Sequence, residues 1–183
     1  YELADLFAAH LEGLPVTHSR DAVESVSGEA GGFVVQAGGK QHSCRTVIVC
    51  SGAHHRELGL ADEKRLQGRG VSYCALCDGN FFRNAPVAVV GGGNAALEES
   101  LYLARLASKV YVIHRRDEFR GAKIYQDKLE AMPDKVELVR SSVVTALHGE
   151  NALTGLSVRD LKTDEIRQIP VEGLFIYVGF EPA

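Results

Sequence analysis

Apolar residues recur along the chain with two different spacings, and the pattern changes near residue 86. Before that point, apolar positions at helical spacing predict a helix over Tyr1–Leu14, which Gly13 and Pro15 bring to an end. Short β-rich runs then predict strands at Phe33–Val35 and Thr46–Cys50, with glycine pairs as turns between strands. The first part of the chain is therefore expected to be a helix followed by an antiparallel meander.

Strands and helices alternate in the second part, which the polar segment Ser51–Gly70 connects to the first. The continuous apolar run Val87–Val90 is typical of a strand that is covered on both faces of a parallel sheet. The predicted elements are the strands Val87–Val90, Val110–Ile113 and Val136–Val139, the helices Asn94–Ala107 and Asp117–Met132, and further short strands within 143–178. This alternation indicates an α/β fold with a doubly wound, Rossmann-like sheet.

The composition of the 183 residues narrows the class of protein. Hydrophobic residues make up 45% and charged residues 24%, as in ordinary globular proteins, and no apolar run is long enough to span a bilayer. A net charge of −4 gives no basic field for nucleic acid or a membrane surface, so neither is expected as a partner. Tyr1 is neither a start methionine nor the beginning of a signal peptide, and we expect a piece of a longer protein.

The four cysteines fall into two kinds. Cys44 and Cys50 lie in apolar, strand-like surroundings and are expected to be buried structural thiols. Cys74 and Cys77 form a C-x-x-C, and no second pair completes a four-ligand zinc site, so no metal is expected. The favoured interpretation is a redox disulfide, for which Asp78 could supply or take a proton. Structural zinc and two inert thiols are the weaker alternatives.

A glycine turn follows the predicted strand Val87–Val90 and opens the next helix. The motif is G-x-G-x-x-A, formed by Gly91, Gly92, Gly93, Asn94, Ala95 and Ala96. In this motif the first glycine permits a tight turn, the second admits a pyrophosphate, and the final small residue lets helix and strand pack closely. Because the helix N-terminus also presents free N–H groups to phosphates, the turn predicts dinucleotide binding.

The second predicted strand ends in a basic cluster, where an NAD site would carry an acid for the ribose hydroxyl. The cluster consists of His114, Arg115, Arg116 and Arg120. Arginine forks suit a 2′-phosphate, so NADPH is favoured over NADH, and solvated arginines without a ligand are the alternative. The nearby Asp117 and Glu118 are interpreted as helix-start residues that complement the dipole.

Taken together, three motifs closely resemble the low-molecular-weight thioredoxin reductases, in order and in spacing. They are Val71-Ser72-Tyr73-Cys74-Ala75-Leu76-Cys77-Asp78-Gly79, then Val89-Val90-Gly91-Gly92-Gly93-Asn94-Ala95-Ala96-Leu97-Glu98-Glu99, then Ile113-His114-Arg115-Arg116-Asp117-Glu118-Phe119-Arg120. The resemblance extends over almost the whole chain. Thr46–Ala53 is similar to a flavin-contacting strand and turn of that family, with Ser51, Gly52 and Ala53 at the turn, although Cys50 and Ser51 replace the family's alanine and threonine.

The resemblance implies a fold, a reaction and a set of residue roles. Electrons would pass from NADPH through FAD to the Cys74/Cys77 disulfide, and the dithiol would reduce thioredoxin or a thioredoxin-like protein. Cys77 would lie against the flavin, Cys74 would attack the thioredoxin disulfide, and Asp78 would act as acid and base. Arg115, Arg116 and Arg120 would hold the 2′-phosphate. The family also suggests a cytoplasmic homodimer.

The domain organisation expected from the resemblance has three parts: 1–56 as part of the FAD domain, 57–178 as the NADPH domain with the C-x-x-C, and 179–183 as the start of a return to the FAD domain. The family's first glycine-rich turn and its closing segment are missing, so we expect the chain alone to hold FAD weakly and not to turn over. There are two alternatives: the reductase component of an alkyl hydroperoxide reductase, which would prefer NADH, and a non-catalytic dinucleotide-binding or redox-sensing module.

Overall fold

A computed structural model describes residues 2–182, which form two compact units, one ending at Cys50 and the other beginning at Ser51. The first unit contains a helix, α1 (Glu2–Glu12), and the strands β1 (Val23–Glu29), β2 (Gly32–Ala37) and β3 (Lys40–Cys44). The strands form an antiparallel sheet in the order β1-β2-β3. The helix and meander expected from the sequence are therefore confirmed.

The strand predicted over Thr46–Cys50 is wrong. These residues have no regular secondary structure and belong to no sheet, and the side chains of Ile48 and Val49 are 87% and 76% exposed. A strand requires a partner for its backbone N–H and C=O groups, and no described strand lies beside this segment. The expectation of two buried thiols also fails, because Cys44 is half-buried and Cys50 is exposed.

The second unit is built on a parallel sheet of five strands in the order β5-β12-β6-β7-β8. Its elements are β4 (Ala53–His55), α2 (Glu63–Leu66), β5 (Val71–Ser72), α3 (Ala75–Asp78), a 3-10 turn (Gly79–Phe82), β6 (Pro86–Gly91), α4 (Asn94–Leu103), β7 (Lys109–Ile113), α5 (Lys123–Glu130), β8 (Val136–Val139), β9 (Ser142–His148), β10 (Gly155–Asp160), β11 (Ile166–Ile169), β12 (Gly173–Tyr177) and β13 (Phe180–Pro182). The predicted α/β fold with a parallel sheet is confirmed.

The core of this unit follows the two-residue period of its central strand. Val87 and Val89 of β6 pack on one face of the sheet against α4 and α5, whereas Ala88 and Val90 pack on the other face against the antiparallel sheet β9–β11. All four side chains are at most 9% exposed, as a strand covered on both faces requires. The helices and the small sheet thus leave the carboxyl ends of the strands free, which is where parallel α/β sheets bind ligands.

Both predicted helices of this unit are shorter in the structure. α4 ends at Leu103, and α5 begins at Lys123 rather than at Asp117. The residues before α5 bond to the glycine turn instead: the N–H groups of Arg120 and Gly121 both donate to the Gly92 carbonyl. Asp117 is therefore not a helix-start residue; it pairs with Lys162 and accepts a hydrogen bond from Ser141.

The two ends of the second unit are joined in an antiparallel ribbon. β13 pairs with β4, in the register that places Pro182 opposite Ala53 and Phe180 opposite His55. The His55 ring packs between Phe180 and Tyr73, with centroids 4.6 and 5.1 Å away. None of the described helices has both the length and the apolar character needed to cross a bilayer.

Candidate active site

Cys74 and Cys77 are joined by a disulfide, with their Cα atoms 5.3 Å apart. Cys74 is the N-cap of the short helix α3, and its sulfur accepts a hydrogen bond from the Cys77 N–H at 3.1 Å. Cys74 is half-buried and Cys77 is exposed. The pair is therefore accessible to another molecule and is held at the amino end of a helix, where backbone N–H groups favour a thiolate.

Asp78, the last residue of α3, is fixed to the loop that precedes the disulfide. The Ser72 hydroxyl donates to Asp78 Oδ2 at 2.6 Å, and the same hydroxyl oxygen accepts from the Cys74 N–H at 3.1 Å. Ser72 is buried and Asp78 is half-buried. A carboxylate is thus oriented within one turn of the disulfide, as proton transfer to a thiolate would need.

The glycine turn lies at the carboxyl edge of the parallel sheet, and each of its glycines has different surroundings. A Cβ on Gly91 would lie 2.6 Å from the Tyr177 carbonyl oxygen and 2.8 Å from the Ala96 side chain, so strand and helix approach as closely as the motif indicates. A Cβ on Gly92 would fall within 2.3–2.5 Å of the His114 ring. A Cβ on Gly93 would meet nothing within 4 Å, so this backbone is open to a ligand.

Asn94 is the first residue of α4 and does not cap it, although its side chain is of a type that often caps helices. Gly93 is the N-cap of α4, and the Asn94 side chain instead accepts a hydrogen bond from the Ala122 N–H at 2.7 Å. Asn94 and Ala95 are exposed, and Ala96 is buried against the sheet. The side chain of Asn94 therefore fastens the segment before α5 to the glycine turn.

His114 is buried beside the glycine turn, at 7% exposure, and stacks on Phe119 with ring centroids 5.3 Å apart. Burial lowers the pKa of His114, and the nearby arginines lower it further, while a hydrogen bond to the Glu118 backbone opposes the change. Its Nε2 atom is buried and has no hydrogen-bond partner within residues 2–182. A buried ring nitrogen without a partner, in a cleft, is a feature that a polar ligand would satisfy.

Only part of the basic cluster lines the cleft. Arg115 and Arg120 line it together with His114, whereas Arg116 is exposed and does not line it. The cleft measures about 590 Å³, and residues 91–95 of the glycine turn are part of its lining. A cavity of this size with two arginines, open backbone and a helix N-terminus is suited to a nucleotide.

Tyr177 connects the cleft to the disulfide. It lies at the carboxyl end of β12 and lines the cleft, while its hydroxyl accepts a hydrogen bond from the Ala75 N–H of α3 at 2.7 Å. Burial raises the pKa of Tyr177, and the charges of Glu99 and Asp78 raise it further. Sequence reasoning missed Tyr177, since its partner is 102 residues away and nothing in the local pattern marks the contact.

Ser51, Gly52 and Ala53 do not line the cleft. All three are exposed, Gly52 has a φ of +83°, and Ala53 opens β4. Residues of the adjoining ribbon do reach the cleft: His55, Arg56 and Phe180 line it, and sequence reasoning did not anticipate them. Within the described part of the chain, no group of three or more His, Cys, Asp or Glu side chains is placed to hold a metal ion.

The second unit combines a parallel α/β sheet, a glycine-turn cleft at the carboxyl edge of that sheet, and a Cys-x-x-Cys disulfide linked to the cleft. This combination defines a nucleotide-binding disulfide oxidoreductase. Comparison with known proteins agrees: the sequence profile described as "Pyridine nucleotide-disulphide oxidoreductase" matches residues 11–183. The chain belongs to this family. Membership implies a nicotinamide and a flavin cofactor.

Similar proteins make the resemblance more specific. The chain is 43% identical to a thioredoxin reductase of Streptomyces coelicolor over 99% of its own length and 56% of the relative's, and 48% identical to one of Streptomyces clavuligerus over 81% and 46%. The structure of Lactococcus lactis thioredoxin reductase matches with a TM-score of 0.76 at 34% identity, covering 100% of this chain and 60% of that one.

The chain thus spans about half the length of the curated relatives that it matches. The resemblance to thioredoxin reductases, which the three motifs indicate, is confirmed by these relatives. They do not favour the reductase component of an alkyl hydroperoxide reductase, the alternative left open by the sequence.

Proposed function

We propose that this chain is the nicotinamide-binding and dithiol-carrying part of an enzyme that uses NADPH and FAD to reduce the disulfide of thioredoxin or a thioredoxin-like protein. The observation that carries the proposal is the link through Tyr177 between the glycine-turn cleft and the Cys74–Cys77 disulfide, within one compact unit. A cleft that only bound a nucleotide would not need an exposed disulfide beside it.

The residues of the cleft fit a dinucleotide with a 2′-phosphate. The open backbone at Gly93 and the amino end of α4 would receive the pyrophosphate, with Gly92, Asn94 and Ala95 beside it, while Gly91 and Ala96 would let strand and helix approach closely at the turn. Arg115 and Arg120 would bind the 2′-phosphate, with Arg116 contributing from outside the cleft wall, and His114 Nε2 would gain a partner. NADPH supplies a hydride when it is bound.

The Cys74/Cys77 dithiol would reduce the disulfide of the partner protein. Cys74, at the amino end of α3, would attack the partner's disulfide as a thiolate, and Cys77 would then displace the partner by attacking Cys74. Two electrons pass to the partner, and the Cys74–Cys77 disulfide re-forms. Asp78, oriented by Ser72, would supply the proton that the departing thiolate of the partner takes up.

The flavin would connect the nucleotide to the dithiol in the whole protein. We assign 1–56 to the FAD domain, with Ser51, Gly52 and Ala53 at a flavin-contacting turn, 57–178 to the NADPH domain, and 179–183 to the return toward the FAD domain. The pairing of β13 with β4 supports this division, since it holds the two strands that would connect the domains side by side. The chain alone is proposed to hold FAD weakly and not to turn over.

Exposed apolar side chains on the segment that carries the disulfide support a protein as the partner. Leu76, between the two cysteines, is 63% exposed, and Phe81 in the following turn is 82% exposed. Exposed apolar side chains around a reactive group mark a surface that another protein covers. The names of the relatives support thioredoxin as that partner. From the resemblance alone, we also propose that the whole protein is a cytoplasmic homodimer.

Calorimetric titration of the chain with NADPH and with NADH tests the nucleotide assignment. We expect NADPH to bind more tightly by about 2 kcal/mol, on the order of 30-fold. Arg115→Ala and Arg120→Ala should each remove most of this preference, whereas Arg105→Ala, an exposed arginine beyond the far end of α4, should leave it unchanged. Equal affinity for the two nucleotides would contradict the assignment.

A further inference from the structure

An acidic residue directly follows the two arginines that begin the basic cluster. Asp117 comes after Arg115 and Arg116 in the chain, and its side chain is exposed. An uncompensated carboxylate at this position would repel the 2′-phosphate of NADPH, and it would act much less on NADH, which lacks that group. A preference for NADPH therefore depends on how the charge of Asp117 is compensated.

Two donors from distant parts of the chain bind the Asp117 carboxylate. Lys162 Nζ lies 2.6 Å from both of its oxygens, and the Ser141 hydroxyl donates to Oδ1 at 2.7 Å. The hydrogen bond from Lys162 lowers the pKa of Asp117 most, followed by the one from Ser141, and the charge of Arg140 lowers it further. Asp117 is therefore an ionised carboxylate with the Lys162 cation beside both of its oxygens.

Lys162 lies in the turn between β10 and β11, and hydrogen bonds hold this turn in place. The Asp160 side chain accepts from the Lys162 N–H at 2.7 Å. The N–H of the intervening Leu161 donates to the Ser141 carbonyl at 2.7 Å. The backbone of the turn thus keeps Lys162 beside Asp117, in addition to the ion pair between the two side chains.

Ser141 joins this turn to the basic cluster. Its N–H donates to the Arg116 carbonyl at 3.1 Å, its hydroxyl donates to Asp117, and its carbonyl accepts from Leu161. Ser141 is 7% exposed and has a φ of +49°, in the left-handed region that a serine seldom adopts. One buried residue therefore connects the backbone of the arginine segment to the turn that carries Lys162.

We propose that Lys162 is a specificity-determining residue for NADPH that acts through Asp117. By neutralising this carboxylate, Lys162 leaves the positive charge of the neighbouring arginines to the 2′-phosphate. Neither Lys162 nor Asp117 lines the cleft, so Lys162 is a positioning residue and does not touch the nucleotide. The inference rests on the proposed function, because the arginines must receive a 2′-phosphate for this compensation to matter.

The test is calorimetry of the whole 183-residue chain with NADPH and with NADH. Lys162→Met removes the charge and keeps a long, flexible side chain. Lys128→Met, the control, removes the same charge from an exposed position in the last turn of α5. Asp117→Asn removes the carboxylate charge and keeps an oxygen that can accept from Ser141. Circular dichroism and urea unfolding establish that each variant is folded.

In about 0.1 M salt we expect Lys162→Met to lower the preference for NADPH over NADH about threefold, because the free carboxylate repels a phosphate dianion through screened solvent. Lys128→Met should keep the preference of the wild type. The double variant Lys162→Met/Asp117→Asn should also keep it, since no carboxylate is left to neutralise. In about 1 M salt, where the Debye length falls to about 3 Å, Lys162→Met should match the wild type.

Three results would overturn the proposal. The first is a wild-type preference in Lys162→Met at low salt. The second is a double variant as impaired as Lys162→Met alone, which would mean that Lys162 binds the phosphate directly. The third is an impairment that persists in about 1 M salt, which would mean that the substitution disturbs the structure.

The proposed function and this inference fail in distinguishable ways. A wild-type chain that binds NADPH and NADH equally would contradict the assignment of the arginine cluster, and this inference with it. An NADPH-selective wild type whose selectivity Lys162→Met leaves unchanged would contradict this inference alone.

Discussion

Gly92 and Gly93 are neighbours in the glycine turn, but a methyl group would have different effects at the two positions. Gly92→Ala would place its Cβ 2.3–2.5 Å from the buried His114 ring, and we expect overpacking to lower the free energy of unfolding by about 1–3 kcal/mol. Gly93→Ala meets no protein atom within 4 Å and should leave stability nearly unchanged.

Urea unfolding combined with NADPH calorimetry separates the two effects. Gly93→Ala should fold normally and still bind NADPH at least about tenfold more weakly, because its methyl group would occupy the space proposed for the pyrophosphate. Normal NADPH affinity in Gly93→Ala would argue against the phosphate position proposed for this turn.

The pKa of His114 gives a second test at the level of one residue. Burial, together with the neighbouring arginines, lowers this pKa in the folded chain, so the unfolded chain takes up the proton first. The contribution of neutral His114 to the free energy of unfolding is therefore fully present above the pKa of about 6.5 in the unfolded chain. It is lost as the pH falls toward the lower pKa of the folded chain. Urea unfolding from pH 7.5 to 5 should show this loss in the wild type and less of it in His114→Asn.

The exposed His54 provides the control for that measurement. His54→Asn should retain the pH dependence of the wild-type chain, because its side chain is exposed on β4. An identical slope in the wild type and in His114→Asn would show that His114 is not the group responsible.

Several residues could be identified from sequence because their role depends on local order. The glycines of the turn and Ala96 follow from a strand, a turn and a helix in succession, and Cys74 and Cys77 follow from their own spacing. Tyr177 could not be identified in this way. Its contact with α3 depends on how β12 packs beside that helix, and it belongs to no pattern with a known chemistry.

At the level of elements, Glu63 at the start of α2 organises the loop between the connecting ribbon and the disulfide. Its carboxylate is 1% exposed and accepts from the N–H groups of Leu58, Gly59 and Leu60 and from the Tyr73 hydroxyl, at 2.8–3.3 Å. Both carboxylate oxygens of Glu63 act as acceptors, so this one buried side chain connects the loop 58–60 to Tyr73, the residue that precedes Cys74.

Glu63→Gln should lower the free energy of unfolding by about 2–3 kcal/mol, because either orientation of the amide would turn its NH₂ group toward at least one backbone N–H donor. Urea unfolding measures the loss. Asp62→Asn changes the adjacent and more exposed carboxylate, whose described partner is Arg65, and should cost less than about 1 kcal/mol. Equal losses in the two variants would contradict the assigned role of Glu63.

Element boundaries were less predictable than element types. The helix expected from Asp117 begins only at Lys123, because Arg120 and Gly121 donate to Gly92 in a contact between segments 28 or more residues apart. The predicted strand Thr46–Cys50 has strong β propensity but no described strand to pair with. In both cases a tertiary contact, or its absence, outweighed the local preference.

For the molecule as a whole, sequence reasoning predicted the α/β class and a parallel sheet, because a buried apolar strand alternates with amphipathic helices. It did not predict that β9–β11 form a separate antiparallel sheet covering the face of the parallel sheet opposite α4 and α5. It also did not predict that β12 inserts between β5 and β6, since strand order depends on long-range packing. The cleft lies at the carboxyl ends of β12 and its neighbour β6.

The central claim is that the Cys74/Cys77 dithiol transfers electrons to a thioredoxin disulfide, and a single-turnover reaction tests it without any cofactor. The chain is reduced with dithiothreitol, freed of reductant and mixed with oxidised thioredoxin, whose new thiols are then counted after separation. We predict that the wild-type chain reduces up to one thioredoxin disulfide per chain, as the two redox potentials allow. Cys74→Ser should reduce none, and Cys77→Ser should be trapped in a mixed disulfide with thioredoxin. A fully reduced, folded chain that transfers no electrons to thioredoxin would contradict the account.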